Sequence, residues 1–261
     1  GFIVARASLQ IMRDTVHALI MREIKTRFGS SKLGYFWALA EPALQASFMA
    51  VLFSLIGRSS LSGVPVALFM LVGLVPFKFF SKLLPQLAAS VHANRSLLAY
   101  RQVAALDPFI ARLIIEVATF LLVYIVLMSV MAWMGVDVWP DDLLKLLMAS
   151  LLMILVASGL GLILCSAMVF WEDTPKLLGL IMTPMMFISG VFYTATMIPS
   201  QYWWLFTWNP VFHVIELSRD AMFASYTSPV ADAQYLALLS LGSISIGLML
   251  YQMNKRRFIT S

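Results

Sequence analysis

Two lysines, Lys78 and Lys82, stand four residues apart in an otherwise apolar run, with Phe77, Phe79 and Phe80 around them. Residues at that spacing share one face of a helix. An ammonium group inside an apolar segment is costly unless it meets water or an anion, or reaches the headgroup layer. The pair therefore has two readings. It is a cationic, aromatic-lined wall of a conduit for an anionic substrate, or it snorkels to the headgroups, with Lys82 better placed to do so. Two carboxylates interrupt other apolar runs. Glu41 precedes Pro42 near a span boundary, which favours snorkelling or capping over a proton relay, and Glu116 lies within a later run. Two acids are too sparse for a coupled proton or sodium pathway.

The remaining polar residues spell no enzyme. No G-x-x-x-x-G-K-[ST] loop occurs, so ATP is not bound in the P-loop manner, and no H-E-x-x-H spacing occurs. His17, His92 and His213 are scattered over three segments, and the single cysteine, Cys165, reads as a small packing residue in an apolar run. Asp137, Asp141 and Asp142 crowd one short loop without a histidine, a poor start for an acyl- or glycosyltransferase. No metal or cofactor of the chain's own is expected.

The elements that must hold these residues are long apolar helices. Of 261 residues, 61% are hydrophobic and 12% charged, about half the charge of a soluble domain. Each apolar stretch is about long enough for a hydrocarbon core roughly 30 Å thick, and no barrel-type alternation appears. The fold class predicted is an all-α membrane protein, with residues 1–261 as one transmembrane domain. Residues 1–34 read as a basic amphipathic helix at the cytoplasmic interface, 35–253 as a six-span bundle and 254–261 as a cytoplasmic tail. The spans fall at about 35–56, 65–84, 109–134 and 143–170, then, after the break Trp171 to Lys176, a fifth ending near Tyr193, and last 235–253. Residues 194–232 are mixed, and their Trp203, Trp204 and Trp208 suit an interfacial aromatic belt or stacking on sugar faces. Ser243-x-x-x-Gly247 allows close helix approach.

Lysine and arginine collect in the N-terminal stretch, at Arg95 and Arg101, and at Lys255, Arg256 and Arg257, against Arg58, Lys145 and Arg219 in the alternate connections. That asymmetry places both termini in the cytoplasm. The net charge of +5 is spread over these breaks rather than along one face, so nucleic acid is not an expected partner. The N-terminus lacks the pattern of a cleaved secretory signal. No internal repeat argues for a secondary transporter.

Several ordered motifs carry a resemblance. They are Leu19-Ile20-Met21-Arg22-Glu23-Ile24-Lys25-Thr26-Arg27-Phe28-Gly29, Leu33-Gly34-Tyr35-Phe36-Trp37, Glu41-Pro42 and Gly73-Leu74-Val75-Pro76-Phe77. After them come Ser189-Gly190 through Tyr193, Ile198-Pro199, Trp208-Asn209-Pro210 to His213, and Glu216-Leu217-Ser218-Arg219. With these motifs the chain resembles, over essentially its whole length, the permease subunits of ABC-2-type polysaccharide exporters, most closely the group 2 capsular polysaccharide export permeases. Lys78 departs from the polar or apolar residue expected there.

The resemblance implies a homodimer in the bacterial inner membrane, docked on two ATP-binding subunits that carry the ATP and Mg²⁺. It implies a periplasmic adaptor, an outer-membrane export protein and a lipid-linked anionic capsular polysaccharide as cargo, with a drug, a small lipid, O-antigen or teichoic acid as alternatives. It also implies roles by position. Lys78, Lys82, Phe77, Tyr193, Trp203 and Trp204 would line the channel. Arg22, Lys25, Arg27 and Lys32 would meet substrate or lipid where the glycolipid enters. His92, Asn94, Arg95 and Arg101 in one segment, and Glu172 and Asp173 in another, would couple to the ATPase. Residues 194–232 would form short periplasmic gate helices between spans five and six.

Overall fold

The computed structural model describes residues 2–28, 34–56, 60–61, 64–94, 98 and 104–260. In chain order the helices are α1 (Phe2–Phe28), α2 (Gly34–Leu55), α3 (Val66–Ala88), α4 (Ser90–Ala93), α5 (Leu106–Trp133), α6 (Leu143–Phe170), α7 (Thr174–Ile188), α8 (Pro210–Met222), α9 (Ala233–Asn254) and α10 (Arg257–Thr260). A two-residue strand pair, β1 (Ser60–Leu61) with β2 (Val64–Pro65), precedes α3. Short 3-10 segments at Ala195–Met197 and Ser200–Leu205 precede α8. The protein is therefore all-helical in its body.

Local chemistry sets the boundaries. Asp142 accepts from the Lys145 amide to start α6, and Asp232 accepts from the amides of Gln234 and Tyr235 to start α9. Both satisfy amide donors that a helix start leaves orphaned. Asn209 does the same for Val211 at the head of α8, with Pro210 in the first turn. α7 closes at Ile188, and the chain turns through Gly190 at φ +80, a backbone state that glycine adopts without strain.

Among the described residues, α3, α5, α6 and α9 are long and apolar enough to cross a membrane. α2 has 22 residues, some of whose side chains lie outside the described set. The fifth span, expected to run to Tyr193, is a helix of 15 residues with Pro184 inside it, shorter than the roughly 20 residues that a full crossing takes. These four helices are the candidate spans among the described residues, and the protein is a multi-pass membrane protein.

α3 is the central helix, packed against α2, α5, α6, α7 and α8. Its buried surface runs almost all the way round, leaving a stripe at Lys78, Ser81, Lys82, Pro85 and Gln86 less buried. α6 and α9 pack most closely, because small residues let their backbones meet. A Cβ on Gly159 would fall 2.1 Å from Ser243 Oγ, and one on Gly247 would fall 2.6 Å from Leu162 Cβ. α1 lies along α5, with Val16 and Leu19 buried against Ala111.

Candidate functional site

The polar stripe of α3 faces a cleft of about 290 Å³ shared with α2 and α5. One wall carries Lys78, Ser81 and Lys82, and Glu41, Glu116 and Thr119 complete the polar lining. Pro42, Val75, Phe79, Phe120 and Val123 supply the apolar part, with the Phe79 and Phe120 rings 4.7 Å apart. Spacing alone put the two lysines on one face, and they share this cleft. Their charge is offset there, because Lys78 Nζ donates to Glu41 Oε1 at 3.1 Å. The Glu41 side chain is 63% exposed and that of Lys78 28%, whereas Glu116 is buried. Phe77 packs in the hydrophobic core and is absent from the cleft lining.

At the opposite end of α3 the polar groups turn inward. Arg219 of α8 is fully buried. Its guanidinium donates to the carbonyls of Gly190 and Val191, to that of Tyr193 at 2.7 Å and to that of Phe69 at 3.2 Å. It also lies 3.7 Å over the Phe69 ring, a cation–π contact. Three of these carbonyls lie in the turn that follows α7, where buried backbone acceptors need partners outside the helix. The anchor requires Gly73, since a Cβ there would fall 2.5 Å from Arg219 Nη2. Glu216, one turn before Arg219, accepts from the Ala195 amide at 3.0 Å, from the Tyr226 hydroxyl and from the Ser228 hydroxyl at 2.8 Å. Buried charges survive when they are paired and hydrogen-bonded in this way.

His213 extends the same network. Nε2 lies 2.6 Å from the Thr207 carbonyl, and Nδ1 accepts from the Asp232 amide at 3.1 Å. These partners together require the neutral tautomer with the proton on Nε2. Burial pushes the imidazole below its ordinary value of 6.5. The α5–α6 connection closes the block: the amides of Asp141 and Asp142 donate to the carbonyls of Met222 and Ala221 at the end of α8, and Lys145 pairs with Asp220 at 2.9 Å.

The aromatic residues at this end divide. The Trp203 indole donates to the carbonyls of Ala195 and Ile198 at 2.9 and 3.1 Å, and the Tyr193 hydroxyl donates to that of Phe187. Trp204 is 69% exposed. Of the candidate coupling residues, His92 sits in α4 and is exposed. Asn94 is buried, donates to Ser90 O at 2.8 Å and accepts from Arg22 at 3.3 Å. Glu172 and Asp173 are exposed, with Asp173 3.8 Å from Lys176. His92 and Glu172 meet at one small cavity of about 40 Å³, beside Cys165 and Phe258. Lys25 is exposed on α1, while Glu23 pairs with Arg112 of α5 at 3.5 Å. Arg95, Arg101 and Lys32, and the side chain of Arg27, lie outside the described residues.

Sequence reading missed Arg219 as an anchor, having counted it among connection charges. The available signal was Glu216 three residues before it, a spacing that stacks opposite charges on one helix face. Among the described residues no group of His, Cys, Asp and Glu is arranged to hold a metal ion.

A multi-pass helical bundle that holds a charged cleft and a buried arginine anchor has the build of a membrane transport component. Residues 15–223 match the family described as ABC-2 type transporter, and the chain belongs to that family, one of transporters rather than enzymes. It is 35% identical to the polysialic acid transport protein KpsM of Escherichia coli, over 98% of this chain and all of that one. It is 31% identical to the capsule polysaccharide export inner-membrane protein CtrC of Neisseria meningitidis serogroup B, over 92% of this chain and 91% of that one. The O-antigen export system permease protein RfbA of Klebsiella pneumoniae is 24% identical over 96% of each chain.

Proposed function

We propose that this chain is the transmembrane subunit of an ATP-driven exporter that carries lipid-linked anionic capsular polysaccharide across the inner membrane. The observation that carries this reading is the 35% identity, end to end, to a polysialic acid transport protein. The weaker likeness to an O-antigen permease makes that glycan the second reading.

In the proposed assembly two copies form the permease, each with six spans. α2 and α7 supply the two crossings beyond α3, α5, α6 and α9. Both termini face the cytoplasm. This orientation gains support from two of the basic residues on the other side, since Arg219 is buried and Lys145 is paired with Asp220. Two ATP-binding subunits dock at the α4 segment and at the α6–α7 break. The shared cavity of His92 and Glu172 supports treating those segments as one surface. The 3-10 segments and α8 form the periplasmic gate, beyond which an adaptor and an outer-membrane protein continue the path. The chain's own residues line and gate that path, and hydrolysis belongs to the partner.

The test is to measure surface and intracellular polysaccharide in the native host with and without the gene. Loss of surface polymer, with acidic glycan accumulating inside, is the expected result. Normal surface polymer would overturn the capsule reading.

A further inference from the structure

The cleft between α2, α3 and α5 is lined by two lysines and two carboxylates, and the two lysines differ in their partners. Lys78 already has an anion, with Glu41 Oε1 at 3.1 Å. Lys82, one turn further along the same wall, is exposed and makes no ion pair among the described residues. Glu116 is buried, and the accessible cation of the cleft is Lys82 at its rim. Below the lysines the lining turns apolar, with Val75, Phe79 and Phe120. A ligand that fits is charged at one end and greasy at the other. A polymer of sugars lacks that division; a lipid with an acidic headgroup has it.

We propose that this cleft binds the phosphate of an acidic lipid headgroup. The phosphate is captured by Lys82 and then takes Lys78 from Glu41. The exchange is physically easy in one direction. Glu41 is 63% exposed, so it returns to water with little loss, and an ion pair so exposed is weak. A phosphate held between two ammonium groups makes charge-assisted hydrogen bonds to both. Glu41 thus acts as a built-in competitor that occupies Lys78 until a stronger anion arrives. Because the Lys78–Glu41 bond joins α3 to α2, the exchange also releases α2 from its polar tether. The phosphate has two sources with one chemistry: bulk acidic phospholipid, or the lipid anchor of the cargo. Only the second rests on the exporter reading.

The experiment uses the full chain, purified in detergent and stripped of lipid, in three binding titrations. The probes are phosphatidylglycerol, zwitterionic phosphatidylcholine, and the lipid-linked glycan extracted from producing cells. Lys82→Gln is expected to weaken phosphatidylglycerol binding about ten-fold, the scale of one lost charge-assisted bond. Glu41→Gln, which keeps the side chain's shape, is expected to strengthen it several-fold, and neither change moves phosphatidylcholine. In a Lys78→Gln background the gain from Glu41→Gln disappears. Tighter binding of the glycolipid with the same response to substitution identifies the cargo's anchor as the ligand, and a response confined to phosphatidylglycerol identifies bulk lipid. The proposal is overturned if Glu41→Gln leaves acidic-lipid binding unchanged or weaker, or if Lys82→Gln has no effect, in variants that elute as the wild type does. Either of those results with normal loss of surface polymer on gene deletion removes the site and keeps the exporter.

Discussion

Replacing Arg219 by methionine removes a buried charge and its donors while retaining much of the side-chain volume. Four main-chain carbonyls, of Phe69, Gly190, Val191 and Tyr193, then lose their donor, and Glu216 keeps its hydrogen bonds without a cation beside it. Each bond from a charged donor is worth about 1.5–3 kcal/mol, but burial of the guanidinium offsets several kcal/mol of the sum. The net loss expected for breaking a buried charged network by removing one partner is about 3–5 kcal/mol. For a chain of this length that lowers the unfolding midpoint by roughly 10 °C. The assay is supplied by the protein itself. Cys165 is the single cysteine and is buried, so a thiol-reactive dye stays dark until the bundle opens. Arg219→Lys keeps the charge but loses the planar fork and the ring contact with Phe69, and is expected to melt between the two. A methionine variant with an unchanged midpoint, or a lysine variant as unstable as the methionine one, would refute the account of α8 as held by guanidinium–carbonyl bonds.

Two further outcomes use the same dye. Because burial depresses the His213 pKa below 6.5, the folded state binds fewer protons than the unfolded state just below that pH. Stability present above about pH 6.5 is therefore lost as pH falls towards the folded-state value, and His213→Gln is expected to flatten the slope between pH 7.5 and 5.5; an unchanged slope would refute the assignment. At the α6–α9 seam, Gly159→Ala forces its Cβ towards Ser243 Oγ and Ile244 N, at 2.1 and 2.7 Å. It is expected to cost about 1–3 kcal/mol, while Gly242→Ala, which meets nothing within 4 Å, leaves the midpoint where it was.

Where structure depends on neighbours in the chain, the residues announce it. α6 runs from Leu143 to Phe170 as its hydrophobic stretch predicts, because Asp142 caps its start and the Trp171-to-Lys176 break ends it. The lysine stripe of α3 follows from helical spacing. The end of α7 does not follow from hydropathy, which counts apolar residues through Tyr193 and cannot weigh the turn at Gly190. The partners that matter most were out of reach for a different reason. Glu41 and Lys78 meet only through the packing of α2 on α3. Arg22 reaches Asn94 across 72 positions, and Arg219 reaches Phe69 across 150. Polar residues of those kinds read as ordinary surface or connection charges until tertiary packing encloses them.

The bonds from the Asp141 and Asp142 amides to the carbonyls of Met222 and Ala221 also bear on how the protein is made. A chain is synthesised from its N-terminus, and exposed unfinished surface during that time invites misassembly. The α5–α6 connection is made some eighty residues before its acceptors exist, so those two amides stay open while α6, α7 and the segments after them are threaded. The block around α8 closes late, when residue 222 has left the insertion machinery.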